Sequence, residues 1–135
     1  MNSIQSMNRA ADNIRILAAS MVEKAKSGHP GGAMGGADFI NVLYSEYLQF
    51  DPQNPTWMGR DRFFLDPGHM SPMLYAQLAL IGKFSMEELQ QFRQWGSPTP
   101  GHPEVCYERG IENSSGPLGQ GHAYAVGAAI AAKFL

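Results

Sequence analysis

Apolar residues recur at helical spacing near the start of the chain and predict an amphipathic helix from about Met7 to Lys26. A second helical pattern follows the glycines after Pro30 and ends before Asp51. Both predicted helices have a face of small or apolar residues, so each must pack against another part of the protein. The stripe on the first helix consists of Ile14, Leu17, Ala18, Met21, Val22 and Ala25.

One segment alone is predicted as a β-strand. It is the short apolar run Arg60-Asp61-Arg62-Phe63-Phe64-Leu65, near residues 62–66, which stops at Pro67-Gly68. Every other extended apolar pattern in the sequence has helical spacing. The chain itself is therefore expected to be mainly helical, with one clear strand.

Three further helices are predicted from their start signals. Ser71-Pro72 places a serine N-cap before a proline at the first helical position. Ser85-x-x-Glu88 has the form of a capping box. The last helix starts near Gly121, presents mostly alanine and glycine, and still continues at Leu135. We therefore expect residues 1–135 to be a piece of a longer protein, truncated within a helix.

Three histidines share the same local sequence. His29, His69 and His102 each follow a glycine directly and have a proline within two residues. Proline fixes φ and glycine has no side chain, so each imidazole stands on a stiff and open turn. Imidazoles donate to phosphate oxygens and move protons near neutral pH. The pattern predicts that the three loops surround one ligand.

The sequence argues against two other kinds of site in these loops, a zinc site and a P-loop. Zinc ligation by the histidines is disfavoured because no pair has helical i, i+3 or i, i+4 spacing and no CxxC is present, so no metal ligand is assigned. The glycine-rich segment from Gly116 to Gly121 lacks the Gly-Lys-Ser/Thr ending of a P-loop. A glycine-rich loop that leads into a helix nevertheless offers backbone N–H groups to an anion.

Composition favours a globular, soluble protein over a nucleic-acid-binding or membrane protein. The chain has 135 residues, 44% apolar residues and a net charge of −2, which suits one globular domain and disfavours nucleic-acid or polybasic membrane binding. Cys106 is the single cysteine, so an internal disulfide is impossible and a reducing compartment is expected. No apolar run is long enough to span a membrane. A soluble cytoplasmic protein is expected, with Trp57 and Trp95 in its core or in an interface.

Four blocks follow one another along the sequence. They are Ser27-Gly28-His29-Pro30-Gly31, then Arg60–Leu65 with Gly68-His69, then Thr99-Pro100-Gly101-His102-Pro103-Glu104, and finally Gly116-Pro117-Leu118-Gly119-Gln120-Gly121. In this order they are similar to the N-terminal part of the transketolase family, over nearly the whole chain. The chain departs from the family pattern at Asp66-Pro67, where many members have Ser-Asn, and at His122, where an apolar residue is usual.

The resemblance implies an activity and a parent fold. Transketolases transfer a two-carbon ketol unit from a ketose phosphate to an aldose phosphate with thiamin diphosphate, in the pentose phosphate pathway. The family's first domain is α/β, a parallel sheet flanked by helices. Residues 1–135 would be the N-terminal portion of this diphosphate-binding domain, and the rest of its sheet would lie beyond them. The implied partners are sugar phosphates, the remainder of the chain and a second subunit in a homodimer.

The resemblance also implies roles for individual residues. His29 and His102 would be catalytic and would line the channel to the cofactor, with His102 on the donor's terminal hydroxyl. His29 would move the proton of the sugar hydroxyl beside the bond that breaks. His69 would reach the diphosphate, while Gly116 and Leu118 would contact the cofactor rings.

Two parts of the family's machinery are missing from this sequence. The divalent metal, Mg or Ca, is held in the family by a Gly-Asp-Gly segment and a later Asn, and this chain has no Gly-Asp-Gly. The glutamate that activates the cofactor belongs to a later domain of the partner subunit. The isolated chain is therefore expected to be inactive. The alternatives are a non-catalytic piece of a split enzyme and a related thiamin enzyme, such as a deoxyxylulose phosphate synthase or a phosphoketolase.

Overall fold

The computed structural model describes residues 2–135, and within them the structure is mainly helical, as predicted. A π-helical turn at Leu43–Tyr47 extends α3, and short 3-10 turns lie at Gly68–Met70 and Tyr107–Arg109. The α-helices are α1 (Ile4–Ala25), α2 (Pro30–Gly35), α3 (Ala37–Val42), α4 (Ser71–Leu80), α5 (Met86–Gln90) and α6 (Gln120–Phe134).

Helix α4 is the centre of the core. All of its residues from Ser71 to Ala79 are buried, because its sequence is apolar on every side. Helices α1, α2, α3 and α5 pack around it. The predicted stripe of α1 faces this core through its buried residues Ile14, Ala18 and Met21.

The single helix predicted after Pro30 is divided at Gly36 into α2 and α3. Its glycines allow a close approach to α4. A Cβ atom at Gly36 would lie only 2.5 Å from Sδ of Met73, and one at Gly32 would lie 3.0 Å from Cγ of Met70. Glycine at these positions therefore sets the distance between α2 and the start of α4. Gly36 also forms the turn between α2 and α3.

The β-strand predicted near residues 62–66 is wrong for this chain. This segment is extended, but within residues 2–135 no strand pairs with it, and the one backbone bridge there is an isolated pair between Cys106 and Ile111. The side chain of Asn113 takes the place of a neighbouring strand. Leu65 N donates to Asn113 Oδ1 at 3.0 Å, and Asn113 Nδ2 donates to Leu65 O at 3.2 Å. A strand needs a partner backbone, which these residues do not supply.

The two predicted serine caps have different outcomes. Ser85 forms the predicted capping box, since Glu88 N donates to its Oγ at 3.2 Å and its own N donates to Glu88 Oε2 at 2.8 Å. Ser71 is not the N-cap of α4, because Met70 holds that position. The Ser71 hydroxyl instead donates to Gly101 O at 2.7 Å, so it holds a loop in place.

Helix α6 lies apart from this core. Gly121 is the one residue of α6 that is buried, while Val126, Ile130 and Phe134 are exposed. Both tryptophans, Trp57 and Trp95, are also exposed, so of the two predicted places the core is wrong, and the interface stays a prediction. Within residues 2–135 no helix combines the length and the apolar character that crossing a bilayer requires.

Candidate functional site

The structure brings the turns of His29 and His69 face to face. The centroids of their rings lie 4.8 Å apart, at an interplanar angle of 48°. His29 is the residue before α2, and His69 lies in the 3-10 turn before α4. Because α2 packs closely on the start of α4, the two imidazoles are neighbours although they are far apart in sequence.

The loop of His102 is anchored to α4. Ser71 Oγ donates to Gly101 O at 2.7 Å, and the buried Tyr75 donates its hydroxyl to Pro100 O at 2.9 Å. Two backbone carbonyls directly before His102 are thus fixed by one rigid helix. The same helix follows the turn of His69, so α4 positions both loops.

Arg93 connects the His102 loop to the His29 turn. Its Nη1 donates to Ser27 Oγ at 3.0 Å, and a Cβ atom at Gly101 would lie 2.8 Å from its Nε. The guanidinium group therefore lies between Ser27 and Gly101, and glycine at position 101 leaves room for it. This contact explains why a glycine precedes His102.

The electrostatic surroundings of His102 favour its neutral form. Partial burial lowers the pKa of the His102 imidazole below its usual value, and the electrostatic influence of Arg93, and then of the nearby His69 and His29, lowers it further. These surroundings therefore favour the neutral ring, which is able to accept a proton. Within residues 2–135 no hydrogen bond engages the ring nitrogens of these three histidines, so they remain available to a ligand.

The glycine-rich loop packs against the His69 turn through backbone contact. A Cβ atom at Gly68 would lie 2.7 Å from Ser115 O, which leaves no space for any side chain. Ser115 N also donates to Pro103 O at 3.0 Å, next to His102. The residue before Gly116 thus touches two of the three histidine loops.

Gly116 and Leu118 border open space beside these loops. A Cβ atom at Gly116 would meet no other atom within 4 Å, and the Leu118 side chain is exposed. The glycine pattern suggested that the N–H groups at the start of α6 are open to an anion, but one of them is already bonded within the protein. Gly119 N donates to Asp66 Oδ2 at 2.8 Å, so the protein's own carboxylate uses one of them.

Sequence reasoning missed Asp66, His122 and Ser115. His122 Nδ1 lies 2.8 Å from Asp66 Oδ2, which places the two departures from the family pattern in direct contact. Asp66 Oδ1 and Ser115 Oγ are buried without a hydrogen-bond partner within the part of the chain described. The signal that was available was the coincidence of two unusual polar residues, one on each loop.

A large cleft lies beside His102, and no metal centre is evident among residues 2–135. The cleft, of about 1040 Å³, is lined by Ser27, Arg93, His102 and Glu104 among others, but not by His29 or His69. Among residues 2–135, no three His, Cys, Asp or Glu side chains lie close enough together to hold a metal ion. The candidate site is therefore a set of converging loops at the edge of the cleft.

Comparisons with known proteins identify the family. The family model described as "Transketolase, thiamine diphosphate binding domain" matches residues 6–135. Transketolase 1 of Escherichia coli is 53% identical over 133 residues, which cover 98% of this chain and 20% of that protein. The chloroplastic transketolase-1 of Arabidopsis thaliana is 53% identical over 131 residues, which cover 96% of this chain and 18% of that protein.

Solved structures agree with the sequence comparison. The transketolase of Campylobacter jejuni superposes with a TM-score of 0.90 at 48% identity, over 98% of this chain and 21% of that one. That of Leishmania mexicana superposes with a TM-score of 0.89 at 47% identity, over 97% of this chain and 19% of that one. The chain thus spans about one fifth of the length of these relatives. It belongs to the transketolase family and to the part of that family's proteins that binds thiamin diphosphate.

Proposed function

We propose that the full-length protein containing this segment is a transketolase of the pentose phosphate pathway. It transfers a two-carbon ketol unit from a ketose phosphate to an aldose phosphate, with thiamin diphosphate as its cofactor. Beyond family membership, the observation that carries the proposal is the convergence of three histidine loops: His29 and His69 are in contact, and Arg93 and Ser115 join the His102 loop to the other two. A site built only for packing would not leave three imidazoles unpaired and near one another.

The residues present fit an anionic thiamin cofactor. The unpaired ring nitrogens of His69 can donate to diphosphate oxygens, those of the neighbouring His29 stay free for the substrate, and the space beside Gly116 admits a ring close to the backbone. Leu118 offers an exposed apolar side chain next to that space. When bound, thiamin diphosphate supplies the nucleophilic carbon that cleavage of a bond next to a ketone requires.

Each histidine then has a distinct role. His69, in the turn before α4, binds the diphosphate together with the adjacent backbone. His29 moves the proton of the sugar hydroxyl beside the bond that breaks. The surroundings of His102 favour its neutral form, in which the ring can both donate to and accept from the terminal hydroxyl of the donor. Gly116 and Leu118 hold the cofactor rings.

The rest of the machinery belongs to other parts of the enzyme. A divalent cation, Mg or Ca, is expected between the diphosphate and ligands outside this chain. Residues 1–135 form the N-terminal portion of the diphosphate-binding domain, and the enzyme is a cytoplasmic homodimer. The transketolase of Pichia stipitis, 43% identical over 90% of this chain, was solved with sedoheptulose 7-phosphate, which supports sugar phosphates as substrates.

The test is an assay of ketol transfer with xylulose and ribose phosphates, excess thiamin diphosphate and magnesium. The full-length protein is expected to show turnover that depends on added cofactor. The isolated 135-residue chain is expected to show none, because the metal ligands and the activating glutamate are absent from it. Cofactor-independent turnover, or no turnover in the full-length protein, would overturn the proposal. Turnover by the isolated chain would overturn the claim that the metal ligands and the activating glutamate lie outside residues 1–135.

A further inference from the structure

Asp66 links two segments that lie far apart in the sequence. Its Oδ2 accepts from Gly119 N at 2.8 Å across 53 positions, and from His122 Nδ1 at 2.8 Å across 56 positions. The Asp66 side chain is only 6% exposed, whereas that of His122 is 81% exposed. A buried carboxylate on one loop therefore bonds to both ends of the short segment from Gly119 to His122.

The backbones around this link are in direct contact. A Cβ atom at Gly121 would lie 2.6 Å from Cβ of Asp66 and 2.9 Å from Leu65 O. On the other side of the same junction, a Cβ atom at Gly68 would lie 2.7 Å from Ser115 O. Glycines on both segments thus let the two loops touch, and any loosening of the junction opens a gap at the position of His69.

Asp66 also serves as the missing cap of α6. Gly119 is the N-cap residue, has φ of 87° and carries no side chain to accept a backbone N–H. The Asp66 carboxylate accepts the Gly119 N–H instead and places a negative charge at the positive end of this 15-residue helix. His122, in the first turn of α6, holds the carboxylate in that position.

We propose that Asp66, held by His122, is a positioning residue that fixes the Gly116–Gly121 loop against the His69 turn and thereby sets the geometry of cofactor binding. The inference rests on the proposed function, since His69 and Gly116 are the residues assigned to the cofactor. Asp66 acts through them: its Oδ2 has two protein partners, and the backbone contacts at Gly68 and Gly121 hold the two segments against each other.

The test measures thiamin diphosphate affinity in the full-length enzyme for Asp66→Ala, His122→Ala, the double variant and His122→Asn. Asp66→Ala is expected to raise Kd at least about tenfold, because it removes charge-assisted hydrogen bonds that order the loop. His122→Ala is expected to weaken binding less, and to add nothing once Asp66 is alanine. His122→Asn keeps a donor near the position of Nδ1 and is expected to restore most of the affinity.

Hydrogen exchange without cofactor supplies a readout that is independent of activity. Residues 116–122 are expected to lose protection in Asp66→Ala, whereas protection in α4 should stay unchanged. The matched control is Asp12→Ala, which removes another acid that bonds to a basic side chain, Arg15, on the exposed face of α1. This control should alter neither Kd nor exchange at residues 116–122.

The outcomes separate this inference from the proposed function. If the unaltered enzyme bound no thiamin diphosphate, both would be overturned. If it bound the cofactor but Asp66→Ala behaved like Asp12→Ala, the positioning role alone would be overturned. Should Asp66→Ala fail to fold, the comparison of His122→Ala with His122→Asn decides, because the exposed His122 is replaceable without loss of the core. Equal affinities for those two variants would then contradict the proposal.

Discussion

Replacement of Arg60 by alanine is expected to lower the free energy of unfolding by about 3–5 kcal/mol, because it leaves a buried carboxylate without its partner. Arg60 Nε donates to Glu112 Oε1 at 2.7 Å and its Nη2 donates to Glu112 Oε2 at 3.1 Å. Both side chains are only 6% exposed. Arg60 Nη1 also donates to Trp57 O at 2.8 Å, so the guanidinium joins its own turn to the segment of Glu112.

Urea unfolding of the 135-residue chain, at one fixed protein concentration, measures this effect. Arg62→Ala is the matched control, since Arg62 is exposed only two residues away, and it should change stability little. The double variant Arg60→Met/Glu112→Leu should be more stable than Arg60→Ala, because it removes the unpaired charge as well. Equal losses for Arg60→Ala and Arg62→Ala would show that the ion pair contributes nothing to folding.

The isolated chain is also expected to self-associate. Val126, Ile130 and Phe134 follow one another at four-residue spacing along α6 and are 59%, 55% and 85% exposed. No helix within residues 2–135 covers this row, and exposed apolar rows drive association. Sedimentation velocity at several protein concentrations should show a species whose size grows with concentration.

Polar replacements test whether α6 is the cause. The triple variant Val126→Gln, Ile130→Gln and Phe134→Gln should remain monomeric at concentrations at which the unaltered chain associates. Ile16→Gln removes an exposed apolar side chain from α1 and should leave association unchanged. A monodisperse chain with a melting temperature independent of concentration would mean that the core around α4 is sufficient by itself.

Local sequence signals predicted the helical part of the fold well. The stripe of α1 and the capping box of α5 depend on residues within a few positions of one another, so the sequence displays them directly. The glycines before the histidines were also informative. Gly68 is required by the backbone contact with Ser115, Gly101 leaves room for the Arg93 guanidinium, and Gly28 has φ of 136°, so each of the three glycines has its own reason.

The wrong predictions share a dependence on distant residues. The segment near 62–66 has the composition of a strand, but its backbone bonds to the side chain of Asn113, 48 positions away. Ser71 has the sequence of an N-cap, but its hydroxyl bonds to Gly101, 30 positions away. Periodicity and local propensity carry no information on such partners, so they predicted the backbone conformation and missed the bonding.

The candidate site also has one part that local sequence predicted and one part that depends on distant residues. The three histidine loops were predictable as a group because each has the same local sequence. The link between Asp66 and His122 was not predicted: the available signal was that both depart from the family pattern, and nothing in the local sequence of either residue indicates the other as its partner. The roles of His29, His69, His102, Gly116 and Leu118 remain predictions that rest on the geometry of the loops and on the family.

The affinity of the full-length enzyme for thiamin diphosphate, measured for the unaltered protein, His69→Ala and His102→Ala, tests the central claim most directly. Removal of one hydrogen bond to a charged group costs about 1.5–3 kcal/mol, so His69→Ala should weaken binding at least roughly tenfold. His102→Ala should leave cofactor affinity unchanged and raise the KM of the ketose donor, because that residue is assigned to the sugar. An unchanged cofactor affinity in His69→Ala would contradict the assignment of the His69 turn to the diphosphate.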